Sequence, residues 1–248
     1  MYFKALSGLL VCCTLLLGGE SQVVITDAAP TEFPHIVKIQ FQDQTVLKTT
    51  PGLFVSKKYV LTSFNSGNTL TKDMFDVTNQ MGAVQTVGAY KADAINRLFY
   101  LKICTLFKGT PFNMSVSSFY ALDDPVDAQL LFFNTTSDTL KKVSVQLINN
   151  STCRDKSSQF GFLSGELTCM TSNETTNFCR DTLQDANVAA TRITFSVVAI
   201  GGQVNGLFHS GTCDSQNNLY SLAPYFFYKK ISSFRQTIID LIPQVDIV

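Results

Sequence analysis

The sequence is poor in the residues that build most metal and nucleic-acid sites. Its only histidines are His35 and His209, and its 19 lysines and arginines balance its 19 aspartates and glutamates. Two histidines, with no cluster at a usable ligand spacing, leave too few side chains for a metal site. A net charge of zero gives no attraction to nucleic acid or to an anionic membrane. We therefore predict no metal, no cofactor and no nucleic-acid partner.

Long apolar runs are also missing after the first residues. Lys4 precedes the apolar run Ala5–Leu17, and small residues at 18, 19 and 21 suit a cleavage site. This order is typical of a secretory signal peptide, which we place at residues 1–21. The run is too short for a comfortable membrane span, and no later stretch reaches the required length. We expect a secreted, extracellular protein without a membrane span, in a compartment where disulfides persist.

The remainder of the chain contains no internal repeat and no low-complexity linker, so it predicts one large domain or two small ones around a real core. Short segments that largely alternate apolar and polar residues, divided by turn residues, predict a β-sandwich or barrel. The predicted strands are His35–Phe41, Leu53–Ser56, Tyr59–Thr62, Gln85–Tyr90, Leu98–Ile103, Val126–Phe133, Val143–Ile148 and Thr194–Gly201.

Only the C-terminal region has a clear helical pattern. Apolar residues recur at three- and four-residue steps over Phe234–Ile242, and Ser232 or Ser233 is available as an N-cap. Pro243 would end the helix. Elsewhere, five Asn-x-Ser/Thr sequons are candidate glycosylation sites on surface loops. They lie at Asn113, Asn134, Asn149, Asn150 and Asn173.

Several segments, in order and spacing, resemble the serine proteases of the trypsin/chymotrypsin-like (S1) family. The matching pieces are VVITDAAPTEFPHIV (23–37), PGLFVSKKYVLTSFNS (51–66), NRLFYLKI (96–103), FNMSV (112–116), VSVQLINNSTC (143–153) and SGTC (210–213). The resemblance implies an all-β fold: a chymotrypsin-like double six-stranded antiparallel β-barrel with a C-terminal α-helix. It places the trypsin-like domain at 22–248, with the first barrel at about 23–122, the second at about 123–228 and the helix at about 231–242.

The catalytic triad of that family is replaced at every position. Asn65 stands at the histidine, Arg97 at the orienting aspartate and Leu183 at the nucleophilic serine. An amide cannot take a proton near neutral pH, and a guanidinium is a permanent cation where an anion should hold the imidazole. Loss of one triad member typically lowers turnover by roughly 10³–10⁶-fold. We therefore predict an inactive homologue and no catalytic residues.

Residues that support catalysis in the family are also replaced. Asp181 and Gln184 stand at glycines of the oxyanion hole, where side chains crowd the backbone donors. Thr182 replaces the aspartate that pairs with the new N-terminus of active members, and Asn177 occupies the specificity-pocket position. The chain has no tryptophan, although the family usually has several.

The same resemblance implies two disulfides, Cys153–Cys169 and Cys179–Cys213. The bridge beside the catalytic histidine maps to Thr50 and Ser66, so both of its cysteines are missing. Cys104 is left over. Either it is a buried free thiol that acts as a small hydrophobe, or it is an exposed reactive thiol or forms an intermolecular disulfide.

Two further groups of residues receive a structural interpretation. His35 follows Pro34 at a position where the family often has an aromatic residue, so we assign it to packing; the role of His209 stays open. Three lysine pairs predict exposed faces more readily than a polyanion site. They are Lys57-Lys58, Lys141-Lys142 and Lys229-Lys230.

The resemblance thus favours a secreted, non-catalytic serine protease homologue of the kind common in insects. Such a protein would bind a partner, for instance an active protease or an inhibitor, and regulate extracellular proteolysis in a reproductive or immune fluid. Two alternatives remain: a hydrolase that works from displaced residues, and a structural glycoprotein that dimerises through Cys104.

Overall fold

The computed structural model describes residues 25–43, 46–56, 58–63, 71–93, 98–105, 125–133, 138–159, 167–171, 196–210 and 225–241. In the first half of the chain the strands are β1 (Ile25–Asp27), β2 (Ile36–Asp43), β3 (Val46–Ser56), β4 (Tyr59–Ser63), β5 (Phe75–Thr78), β6 (Val84–Asp93) and β7 (Leu98–Ile103). In the second half they are β8 (Val126–Phe133), β9 (Leu140–Leu147), β10 (Leu167–Thr171), β11 (Val197–Ile200), β12 (Gln203–Ser210) and β13 (Tyr225–Lys230). The helices are α1 (Asn150–Gln159) and α2 (Arg235–Leu241), with 3-10 turns at Lys72–Met74 and Ile231–Phe234.

The first barrel is a closed antiparallel ring in the order β2-β3-β4-β7-β6-β5. The alternation in β2 explains its orientation: Val37, Ile39 and Phe41 are buried inside the ring, with aromatic partners from β5 and β7. Gly52 on β3 is required by close packing, because a Cβ there would lie 2.4 Å from Ile39 Cδ1.

The second barrel closes in the order β8-β9-β10-β13-β12-β11, and β1 is hydrogen-bonded to β9 as a seventh strand. Residues Ile25–Asp27 pair with Val143–Lys141, so the first described strand belongs to this barrel rather than to the first. The interior is aromatic: Phe208 and Tyr228 pack edge to face with ring centroids 5.9 Å apart. Phe226 is fully buried beside them.

A shared apolar core joins the two barrels. Ile36, Leu53 and Leu61 on the outer face of the first barrel are fully buried against the second barrel and the C-terminal segment. From the second half of the chain come Leu131, Val197, Leu207, Ile231 and Ile238. Each fully buried Leu or Ile contributes about 1.5–3 kcal/mol relative to its exposed state, so this interface holds the barrels firmly together.

The architecture confirms the double six-stranded antiparallel barrel expected from the sequence. The expectation that only the C-terminus is helical is wrong, because α1 is a helix of 10 residues whose sequence, NSTCRDKSSQ, has no apolar face to reveal it. The C-terminal helix is present but begins as a 3-10 turn at Ile231. There Ser233 donates its hydroxyl proton to the Lys230 carbonyl oxygen (2.7 Å) rather than capping a helix. None of the helices among the described residues is both long and apolar enough to cross a membrane.

Candidate functional site

Two paired strand ends border the expected catalytic positions. Ser63, the last residue of β4, pairs directly with Leu98, the first residue of β7. Asn65 follows Ser63 by two positions and Arg97 immediately precedes Leu98. The chain therefore leaves β4 and enters β7 at the same end of this strand pair.

Threonine hydroxyls tie the strands where the resemblance would place a disulfide. Thr50 is almost fully buried, and its Oγ1 lies 3.5 Å from Oγ1 of Thr62 on β4. Thr62 also donates its hydroxyl proton to the Pro51 carbonyl oxygen at 2.9 Å. Hydrogen bonds of this kind contribute about 0.5–1.5 kcal/mol each, less than a disulfide, so β3 and β4 are held less tightly than a bridge would hold them.

The structure confirms one prediction about the cysteines and contradicts another. Cys153 and Cys169 form a disulfide that links α1 to β10, with the Cα atoms 5.5 Å apart. Cys104, directly after β7, is free and exposed, so the buried-thiol interpretation is wrong.

The two sequons in the described part of the chain lie at the start of α1. Asn149 caps this helix: its Oδ1 accepts hydrogen bonds from the Thr152 amide (2.8 Å) and the Ser151 hydroxyl (2.9 Å). Asn150 Oδ1 accepts a hydrogen bond from Lys230 Nζ at 2.9 Å. Both asparagines are half-buried rather than on a freely exposed loop.

Inside the second barrel a serine and a tyrosine hydroxyl form a buried pair. Ser196 Oγ and Tyr228 Oη lie 3.1 Å apart, and both side chains are fully buried. Burial raises the pKa of Tyr228 far above its usual range, so the phenol stays protonated and cannot act as a base. The pair is suited to holding the barrel core together rather than to nucleophilic catalysis.

His35 is similarly suited to packing. It is buried beside Phe33, with the ring centroids 6.4 Å apart, and burial lowers the pKa of His35 to about 4. The imidazole is therefore neutral at physiological pH, as its assignment to packing implies.

The interface between the barrels also has a polar side that sequence reasoning missed. Lys38 on β2 forms an ion pair with Asp138, which precedes β9. On β9, Lys142 Nζ lies 2.7 Å from Glu32 Oε2, and Lys141 Nζ lies 2.6 Å from Asp27 Oδ1. Hydrogen bonds from Lys141 and from Thr139 hold the pKa of Asp27 below its usual range.

The expectation that the lysine pairs form exposed faces is wrong for two of the three pairs, whereas Lys58 is exposed as expected and Lys57 lies outside the described residues. The side chains of Lys141 and Lys142 are only 18% and 26% exposed, because they reach across to carboxylates near the start of the described chain. Lys229 is buried and Lys230 half-buried. Beside the Lys38–Asp138 pair the barrels leave a cavity of about 670 Å³.

The other predicted site residues lie outside the part of the chain that the structure describes. They are Asn65, Ser66, Arg97, Asn177, Asp181, Thr182, Leu183, Gln184, the Cys179–Cys213 pair and the sequons at Asn113, Asn134 and Asn173. His209 lies on β12, but its side chain is also outside the described set. Among the residues that are described, no group of three or more His, Cys, Asp or Glu side chains could hold a metal ion.

Solved structures with the same fold include both proteases and an inactivated paralogue. The Vibrio cholerae VesB protease has a TM-score of 0.62 at 18% identity, covering 90% of this chain and 68% of that chain. The scabies mite inactivated protease paralogue S-I1 has a TM-score of 0.62 at 13% identity, covering 88% and 98%. Kallikrein-related peptidase 10 in complex with Zn²⁺ has a TM-score of 0.60 at 14% identity, covering 87% and 98%.

At these identities the likeness establishes the trypsin-like serine protease fold and no more. No protein-family model matches the chain, and no curated protein matches its sequence. The fold is shared by proteins whose names describe proteases and by inactivated paralogues, so it does not by itself decide activity.

Proposed function

We propose that this chain is a secreted, non-catalytic serine protease homologue that binds a protein partner and regulates extracellular proteolysis. What supports the proposal is the double barrel together with the sequence resemblance, which places Asn65, Arg97 and Leu183 at the three triad positions, where they offer no base, no orienting anion and no nucleophile. The inactivated scabies mite paralogues provide a precedent for this fold without its protease chemistry. Rigid barrels still present loops to a partner once catalysis is gone.

Inactivity is tested with the purified mature protein, with trypsin as the positive control. We expect no turnover of a fluorogenic peptide library and no covalent labelling by a serine-directed phosphonate. Turnover or labelling that disappears on mutation of a single Ser, Cys or His would establish the hydrolase alternative instead.

Secretion and partner binding need their own measurements. Expression of the full chain in a eukaryotic secretory host should release a protein that begins between residues 20 and 23, as read by N-terminal sequencing. Affinity capture from the fluid into which the protein is secreted, followed by mass spectrometry, should return a protease or an inhibitor. Retention of the protein inside the cell would contradict the proposal.

The exposure of Cys104 favours a second candidate, a glycoprotein that dimerises through a disulfide. A band of doubled mass on a non-reducing gel that disappears in Cys104→Ser would support it. A monomer of unchanged mobility in both proteins would exclude this role.

A further inference from the structure

The cavity beside the Lys38–Asp138 pair is lined by neither Ser63 nor Leu98, the described residues nearest in the chain to the expected catalytic positions Asn65 and Arg97. Its walls come from β2 and the β5–β6 turn of the first barrel and from the chain around β1, β8 and β9 of the second. The strand ends that border the catalytic positions are instead Ser63 on β4 and Leu98 on β7. Its volume of about 670 Å³ falls within the usual range for ligand sites, roughly 300–1,000 Å³.

Apolar side chains lie both among the residues that line this cavity and next to them. Phe133 and Leu140 line it and belong to the buried core between the barrels. At the mouth Val84 is 58% exposed, and Met81 in the adjoining turn is 75% exposed. A partner can therefore bury aliphatic groups both inside the cavity and beside it.

The more exposed charges beside the cavity are negative, although Lys38 also lines it, because each ion pair there exposes its acid and covers its base. The side chains of Asp138 and Asp27 are 54% and 64% exposed. Their lysine partners, Lys38 and Lys141, are only 9% and 18% exposed. Lys38 contacts Oδ2 of Asp138, and Lys141 contacts Oδ1 of Asp27, so each acid is paired through one oxygen and still keeps more than half of its side chain exposed.

We propose that this cavity binds an arginine side chain on an extended segment of a partner protein, with a neighbouring apolar residue packed on Val84 and Met81. A guanidinium offers several donors in a fixed fork to the two carboxylates, and its aliphatic stem suits the apolar walls. The proposal deepens the protein-binding role and depends on it. It assigns that binding to a cationic segment and to the polar edge of the barrel interface.

The test uses a fluorescein-labelled peptide of sequence Gly-Leu-Arg-Leu-Gly, with acetylated and amidated ends, and the mature protein in a polarisation titration. We expect saturable binding with a Kd on the order of 100 μM, because a short flexible peptide loses entropy when it binds. The same peptide with citrulline in place of arginine has the same shape without the charge. It should bind about tenfold more weakly or worse, and added salt should weaken the arginine peptide selectively.

Two matched variants locate the binding. Val84→Lys places a cation at the cavity mouth, whereas Leu47→Lys places one at a similarly exposed strand position (62% exposed) that does not line the cavity. We expect Val84→Lys to weaken binding of the arginine peptide about tenfold or more, through repulsion at the mouth. Leu47→Lys should leave the affinity within about twofold, and both proteins should unfold at the wild-type urea concentration, since exposed changes cost little.

Three results would overturn the assignment: no saturable binding, equal binding of the citrulline peptide, or equal loss in the two lysine variants. These failures are separable from failure of the proposed function. If wild type and Val84→Lys capture the same native partner equally well, the regulatory role stands and the cavity assignment is wrong. If the peptide binds as expected but the protein labels with the phosphonate, the cavity assignment stands and the non-catalytic role is wrong.

Discussion

The ion pair between Lys38 and Asp138 allows an asymmetric prediction about stability. The Lys38 side chain is 9% exposed, whereas that of Asp138 is 54% exposed. Asp138→Asn leaves a buried ammonium without an anionic partner. Lys38→Met leaves a carboxylate that water already reaches and replaces the lysine with an apolar chain of similar length. The first substitution should therefore cost much more than the second.

The magnitude follows from the burial of each partner. Removal of one member of a fully buried pair costs about 3–5 kcal/mol, but Asp138 is half exposed, so we expect about 2–3 kcal/mol for Asp138→Asn. Lys38→Met should change stability by less than about 1 kcal/mol, since it leaves no buried charge. Asp138 has a φ of 59°, a left-handed conformation that asparagine also tolerates, so the substitution adds little backbone strain.

Urea unfolding followed by far-ultraviolet circular dichroism measures both variants, because a chain without tryptophan gives no indole fluorescence signal. For a chain of this size the expected loss in Asp138→Asn corresponds to a fall in Tm of about 4–12 °C. The double variant should be about as stable as Lys38→Met alone, since no buried charge remains. Equal costs for the two single variants, or additive costs in the double variant, would refute the reasoning.

Three further predictions concern single residues. Cys169→Ser removes the disulfide to Cys153, which is 16 residues away. Urea unfolding without reductant should show a loss of about 3 kcal/mol. A variant as stable as the wild type would show that the disulfide adds no stability. Gly52→Ala should cost about 1–3 kcal/mol, because the added methyl group clashes with the barrel core. Gly82→Ala should cost about 1 kcal/mol, because φ is positive there but the space is open. Thermal melts in which Gly82→Ala is the less stable variant would contradict the packing argument. Burial lowers the pKa of His35 to about 4. As the pH is lowered below 6.5, His35 therefore binds a proton in the unfolded chain but not yet in the folded one. The free energy of unfolding should decrease as the pH is lowered from 6.5 to 4. This contribution approaches about 1.4 kcal/mol per pH unit, so the urea midpoint of His35→Gln should depend less on pH over this range, and an unchanged slope would refute it.

The strand content could be predicted because alternation encodes it locally. In β2, Val37, Ile39 and Phe41 enter the core while Lys38 and Gln40 point away from it, as the sequence pattern requires. The helix α1 could not be predicted in this way. Its packing depends on Cys153, buried through the bridge to β10, and on no repeating apolar stripe.

Of the candidate sites, one could be named from the sequence and the other could not. The resemblance named Asn65 and Arg97, which lie outside the described residues, and the structure describes only the neighbouring strand ends, Ser63 and Leu98, which pair with each other. The inter-barrel cavity gave no sequence signal, because its walls come from chain segments that are far apart. The Lys141-Lys142 pair predicts an exposed face from the sequence alone, because the partner of Lys142, Glu32, lies 110 positions earlier in the chain.

The addition of β1 to β9 has a consequence for how the protein is made. All strands of the first barrel lie between Ile36 and Ile103, so this ring can close while the ribosome is still producing the second. Residues 25–27 must wait, since their hydrogen-bonding edge on β9 emerges only after Val143 has been synthesised. The second barrel is thus discontinuous in the chain, with the whole first barrel inserted between its outermost strand and the rest. A fragment that starts at β8 would lack β1 and expose the β9 edge, whereas a fragment that ends after β7 would carry β1 with nothing to pair against.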